Sequence, residues 1–542
     1  MKIKLYILAC WLLSGLVSCN DWLDVKPETE MTLEEMYADQ QGFQDALTGA
    51  YLNMKSTGAY GQQLMYGTVE YLAQHWDCSA NSTQEKISQF NYVDNSVQSS
   101  FETIYTQLYK IIASANMILE QIDARQDVFE PGMYEIIKGE ALAMRAYCHF
   151  DLLRLFGPMP TRTSTGKILP YVTTVGIDYH THHTYQEFTE LLKNDLIDAE
   201  GLLKQVDPII PAEKGGEELN LSVSAENFLL ARQVRFNYYA VKAMEARFFL
   251  WMGGETNKSA AYDCATELTE AEDSDGKLLF TLGSTDNLSK SDYSFSTEHI
   301  LAIYEYNLKD RAESAFTTNS SYSKAQNVLS PNLYPAGTTD IRYLGLWTSY
   351  TSGSGSVVFS IKKFLQDDNH DEINQFPLIR LAEMYFIAME CGPLSEASRL
   401  YEEFCLSRDI ELVNLQSEAQ LEEVLIKEYN KEFYAEGQAF YAFKRLAVEN
   451  ILWAKFPGDE ESYVVPLPLS DQKIMKQIIY TVLFLVAIGL TGCQKAEYLL
   501  FNDIARVQMD EANEILTSFY YMDAAIGRDT VYLTVNTIGD PE

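Results

Sequence analysis

Positive charge is scarce in this chain. Against 77 aspartates and glutamates stand 41 lysines and arginines across 542 residues, a formal net charge of -36. Phosphate backbones and anionic membrane surfaces are repelled by such a field, which excludes general nucleic-acid binding. Cysteine is scarce too, 8 in all and none in a C-x-x-C pair, so neither a disulfide framework nor a zinc site is indicated. The chain also lacks a G-x-S-x-G element, an H-E-x-x-H helix and a Gly-rich phosphate loop. What it has is a foldable mixture, 47% hydrophobic and 22% charged, with 35 Tyr, 26 Phe and 6 Trp. That is enough apolar material for a large core, with rings to spare for a ligand.

Two segments read as starts. Residues 1–18 place Lys2 and Lys4 before an uncharged run from Leu5 to Ser18, too short to span a bilayer, and end at Leu16-Val17-Ser18-Cys19. This is the pattern of an export signal with a lipobox, which predicts acylation of Cys19 (palmitate-type chains) and a mature start at Cys19-Asn20-Asp21. The pattern recurs at Met475-Lys476, with an uncharged stretch from Ile478 to Gly492 that closes on Cys493. Residues 475–542 therefore read as the opening of a second lipoprotein, joined by fusion or read-through. The expected division is a signal over 1–18, one working body over 19–474 and this tail. Setting aside the leader's +2 and the tail's -5 leaves -33 on the body. Its five remaining cysteines, Cys78, Cys148, Cys264, Cys391 and Cys405, read as buried thiols.

Helical periodicity dominates the body. A Thr32-Leu33-Glu34-Glu35 capping box predicts a helix carrying Met36, Phe43, Leu47 and Tyr51 on one face. Further helices are predicted over Phe101 to Ile122, Tyr134 to Phe156, Phe188 to Leu203 behind a second capping box at Thr184, Phe236 to Met252 and Ser259 to Ala271. From about Ser274 to Asn374, loop-forming clusters separate short apolar runs, which predicts long loops and short strands. Helices resume at Leu378 to Met389, Ser395 to Leu406, Gln416 to Ala435 and Gly437 to Leu446. The expected class is mainly α, built of tetratricopeptide-like helical pairs with a loop-rich insertion containing short strands.

Several motifs then stand in order: Asp21-Trp22-Leu23-Asp24; Glu140-Ala141-Leu142-Ala143-Met144-Arg145 through Arg154, Phe156, Gly157 and Pro158; Asp340-Ile341-Arg342; Pro377-Leu378-Ile379-Arg380 through Glu383; and Lys431-Glu432-Phe433-Tyr434-Ala435-Glu436-Gly437-Gln438. Over residues 19–470 this combination resembles SusD/RagB outer-membrane nutrient-binding lipoproteins. Cys148 and His149 depart from it where aromatic residues are common, as do Tyr429-Asn430 and Gln438 where arginines are usual. The resemblance implies a SusD-like fold, a surface-exposed position on a Gram-negative outer membrane held by the lipid anchor, no catalysis and no cofactor. It also implies a SusC-like TonB-dependent transporter as partner, to which a nutrient such as an oligosaccharide is delivered. The two other readings are a helical-repeat scaffold for a protein or peptide, and a helical-barrel glycoside hydrolase working through two carboxylates.

For ligand contact, loop rings beside amide and carboxylate groups are the strongest signal, because a sugar offers CH faces for stacking and hydroxyls for hydrogen bonds. Tyr66, Trp76, Asp77 and Asn81 form one candidate platform, Tyr343 and Trp347 a second. Arg145, Arg154, Arg380 and Glu383 read instead as structural ion pairs on apolar helices. The run His180-Thr181-His182-His183 has a metal-like composition but no evident carboxylate to complete a shell, and reads as a solvated loop.

Overall fold

In the computed structural model the described residues are 31–471, apart from 164, 177–179, 318–321, 352–354, 356, 368, 371 and 470, together with the short strands Ile526–Gly527 and Thr530–Leu533. The chain divides into two compact units, residues 43–492 and residues 1–42 with 493–542. Within the smaller unit, Met31–Thr32 pairs antiparallel with Tyr532 and Leu533, and Thr530–Leu533 also pairs with Ile526–Gly527. Both lipobox cysteines, the export signal and the second signal-like segment lie outside the described residues.

The larger unit is a succession of antiparallel helices. They are α1 (Gln40–Met54), α2 (Asn95–Ile122), α3 (Met133–Phe156), α4 (Tyr185–Val206), α5 (Tyr238–Met252), α6 (Glu255–Thr269), α7 (Leu381–Cys391), α8 (Leu394–Arg408), α9 (Glu418–Glu432) and α10 (Ala439–Leu446). From α2 to α6 each packs on the next, α6 passes the array to α7, and α7 meets both α8 and α9. The predicted stripe of α2, from Ile104 through Leu108, Ile111, Ile112 and Ala115 to Ile118, is buried throughout. Small residues let helices close up: a Cβ on Gly139 of α3 would meet the Leu203 side chain of α4 at 2.8 Å.

The capping boxes at Thr32 and Thr184 both form. The first opens only a four-residue turn, Leu33–Met36, before α1 begins, so the single predicted helix is two. Gly42 explains the break, since a Cβ there would lie 1.6 Å from the Met36 carbonyl oxygen and only glycine lets the chain double back so closely.

The insertion between α6 and α7 holds the strands β1 (His299–Tyr304), β2 (Lys324–Ala325), β3 (Trp347–Thr351), β4 (Val357–Ile361) and β5 (Gln375–Arg380). β1 pairs antiparallel with β5, and β4 lies between β2 and β3. The helix predicted from Leu378 is therefore corrected: Gln375–Arg380 is strand and the helix starts at Leu381. A continuous apolar run fits either structure, and pairing with β1 decides it. His182 is corrected as well. His182–Thr184 pairs with Lys167–Pro170, and the His182 ring is buried 3.2 Å from the Asp471 carboxylate, not in a solvated loop.

The motif residues find one another in the core. Arg380 binds Glu298, Glu432 and Glu436 at 2.7–2.8 Å; Arg408 binds Glu298 and Glu432 at 2.6–2.8 Å; Arg342 binds Asp340, Glu428 and Glu432 at 2.7–3.0 Å. Burial alone would raise the pKa of Glu432, but Arg408 and Arg380 outweigh it and hold that carboxyl well below the usual range. Arg145 forks onto Asp195 at 2.7 Å and Arg247 onto Glu383 at 2.6 Å. Arg154 stacks 4.0 Å from the Tyr441 ring centroid and donates to Gln438, one of the departures noted above. The arginines that could pass for an anion site are thus spent inside the fold.

Candidate functional site

The two predicted aromatic platforms meet at a ring that neither contains. Trp76 and Trp347 each contact Tyr434 edge-on, with centroids 5.0 and 4.8 Å away. This closeness is bought by burial. Trp76 is 2% exposed and its indole Nε1 donates to the Tyr66 carbonyl at 2.8 Å; Trp347 is 7% exposed. Tyr66 is buried among Phe316 and Tyr322, 5.0 and 5.2 Å away. The reading of Trp76, Trp347 and Tyr66 as open stacking faces is therefore corrected: these rings are buried in the core against other rings. Tyr343, half-buried on the short helix Ile341–Leu346, packs 5.0 Å from Tyr334 and away from Asp77 and Asn81 in sequence and contacts.

Beneath the buried rings lies a polar lock. Glu70 is fully buried and accepts from His75 Nδ1 at 2.6 Å and from the backbone N–H groups of Ala435 and Gly437 at 2.7 and 2.8 Å. His75 stacks on Tyr434 at 4.0 Å. The lock fixes the segment that presents Asp77 against the turn after α9.

Asp77 and Asn81 do reach the surface. The Asp77 side chain keeps 44% of its surface exposed while accepting from the Ala325 N–H at 2.7 Å and approaching Lys324 at 3.3 Å. Lys324 is buried; its Nζ donates to the Gln74 carbonyl at 2.9 Å and lies 4.1 Å from the Trp453 ring centroid. Burial pulls the Lys324 pKa below that of an ordinary lysine, against the opposing pull of Asp77. On the far side, the Asn81 N–H donates to Glu85 at 2.7 Å, and Glu85 pairs with Lys455 at 2.9 Å, two residues from Trp453. Two sets of contacts, Asp77–Lys324–Trp453 and Asn81–Glu85–Lys455, are thus joined by short stretches of chain, 77–81 and 453–455, into one contact circuit. Farther along the same two segments is an open depression of about 750 Å³ lined in part by Phe90, Asn91, Arg162 and Glu460.

Trp453 is the member that sequence reading missed. Its signal was present, a lone tryptophan in the loop Ile451-Leu452-Trp453-Ala454-Lys455-Phe456-Pro457, but periodicity does not reveal that this loop folds beside Asp77. Among the described residues no group of three or more His, Cys, Asp and Glu is arranged to hold a metal, and no helix is long and apolar enough to cross a membrane.

The SusD-like family described as "Starch-binding associating with outer membrane" matches residues 21–210. A SusD superfamily protein from Bacteroides vulgatus ATCC 8482 superimposes with a TM-score of 0.61 at 20% identity, over 79% of this chain and 95% of that one. Over residues 21–210 the chain is similar to the SusD-like family, and its fold is that of SusD superfamily structures. A SusD-like carbohydrate binding protein from the same organism shares the fold with a TM-score of 0.56 at 16% identity, over 75% of this chain and 83% of its own. The SusD-like protein P25 of Formosa agariphila is 26% identical over 171 residues, 30% of this chain and 32% of P25, so the chain matches about a third of that relative's length. The mainly α class, the helical pairs and the strand-bearing insertion agree with this fold.

Proposed function

We propose that this SusD-like protein is a lipid-anchored outer-membrane lipoprotein, surface-exposed, that binds an oligosaccharide without catalysis and delivers it to a SusC-like TonB-dependent transporter. Cys19 supplies the anchor, since two or more acyl chains at about 0.8 kcal/mol per buried CH₂ give stable attachment. The observation that carries the reading is the family match across residues 21–210, a family described by starch binding and outer-membrane association. The exposed Asp77 and Asn81 support the reading, because they offer the carboxylate and amide chemistry that sugar hydroxyls need. Tyr343 is a second, separate point of ligand contact in this proposal. The acidic body favours neutral glycans over polyanionic ones.

Titration calorimetry with maltoheptaose, cellohexaose and mannohexaose tests the binding. At least one should bind, and Asp77→Ala should weaken that binding about tenfold, the loss of one or two hydrogen bonds to a charged group. Release of reducing sugar on incubation would instead assign hydrolysis, and no binding of any glycan would remove the reading.

A further inference from the structure

Four tryptophans lie among the described residues, and Trp76, Trp251 and Trp347 are buried. Trp453 alone is half-buried, and three features meet at it, of which the second is shared with Trp251. Its backbone sits at φ +69°, in the left-handed region that a bulky side chain rarely enters. Its indole Nε1 is closed off from water with no hydrogen-bond partner among the described residues, whereas buried donors are ordinarily satisfied. Its ring rests 4.1 Å from Lys324 Nζ, an ammonium pinned by the Gln74 carbonyl and by Asp77. A strained backbone and an unspent donor persist only where the surroundings impose them, and such features gather at ligand sites.

We propose that Trp453 is the stacking floor for one neutral hexose ring of the bound glycan, with Asp77 accepting from that ring's hydroxyls. The proposal rests on the glycan-binding reading above and names the ring on which that binding turns. Lys324 holds both partners: its ammonium fixes the indole from one side and the Asp77 carboxylate from the other, so the two reach the ligand already ordered. The Asp77 side chain has surface left for hydroxyl donors. A uronic acid at the same place would set its carboxylate against Asp77 and Glu85, hence the neutral class. The role that residue type alone assigns to Trp76 and Trp347 belongs, by exposure, to Trp453.

The test uses the full chain with maltoheptaose, cellohexaose and mannohexaose as probes, following both calorimetry and tryptophan emission in the parent, Trp453→Ala and Trp453→Phe. Thermal melts establish that each variant is folded. A probe that binds the parent should change its emission saturably. That change should vanish in Trp453→Phe, which keeps a ring over Lys324 but has no indole, with affinity falling about threefold. Affinity should fall about tenfold in Trp453→Ala. Where Trp453→Ala fails to fold, Trp453→Phe decides. An unchanged affinity in Trp453→Ala alongside a loss in Asp77→Ala would overturn the assignment while leaving the glycan site standing, and so would an emission change that survives in Trp453→Phe. Absence of binding in the parent to all three probes would overturn both.

Discussion

His149 shows how a single side chain can carry the acid sensitivity of a fold. On α3 it is fully buried, its Nδ1 2.9 Å from the Arg145 carbonyl and its Nε2 accepting from the Val172 N–H at 2.9 Å, with the ring stacked 3.8 Å from Tyr171. Burial, reinforced by the charge of Arg145 and by His183 and His180, holds its pKa well below the ordinary 6.5. The unfolded chain therefore takes up this proton first as pH falls, and the stability present above about pH 6.5 is lost below it. Chemical denaturation between pH 5 and 7 should show that loss, and His149→Gln should flatten the slope by up to about 1.4 kcal/mol per pH unit. Equal slopes in parent and variant would dismiss the idea; His299, also buried and lowered, supplies a remainder. The same scale marks the limit of sequence reading at the site. Residue type identifies Trp76, Trp347 and Trp453 alike as rings, but only long-range packing decides which face is left open, and Tyr434 covers two of them. The surface position of Asp77 and Asn81 was legible because a loop of small and polar residues carries them.

At the scale of elements, the turn joining α9 to α10 is tightly constrained. Ala435 and Gly437 both adopt positive φ, +66° and +70°, and their N–H groups converge on the Glu70 carboxylate. A Cβ on Gly437 would stand 2.0 Å from the Leu64 carbonyl oxygen, a backbone atom held by neighbouring turns. Left-handed strain costs about 1–2 kcal/mol, and the collision adds to it. Gly437→Ala should therefore lose at least about 3 kcal/mol in urea denaturation, mostly by displacing the Trp76 segment from Tyr434. A loss under about 1 kcal/mol would mean that this turn yields more easily than its geometry implies. Helices with a capping residue and a clean apolar stripe, such as α2 and α4, could be located from sequence because both signals are local. The break before α1 and the strand at Gln375–Arg380 could not, since the first depends on Gly42 meeting Met36 and the second on a partner strand some 70 residues earlier.

At the scale of the whole molecule, the question is whether residues 475–542 belong to the working protein. The larger unit, residues 43–492, carries α2 to α10 and α1 from Phe43 on, the Arg342–Arg380–Arg408 network and the contact circuit from Asp77 to Lys455. In the smaller unit the described pairing of the tail with the N-terminal segment is limited to Met31 with Leu533 and Thr32 with Tyr532. Two residue pairs on a short ribbon contribute little, because isolated hairpins are marginal in water. We therefore propose that the tail is the start of a separate lipoprotein, and that ending the chain at Ile474 leaves the function intact. The truncated chain should melt within about 2 °C of the full chain and bind the same oligosaccharide with unchanged affinity. Intact mass of the protein taken from its native membrane gives the independent check, since a product ending near Ile474 fits a joined gene. A melting point lowered by more than about 5 °C, or a native product that retains the residues up to Glu542, would make the tail part of the protein, and the net charge of -36 would then be the relevant one in place of -33.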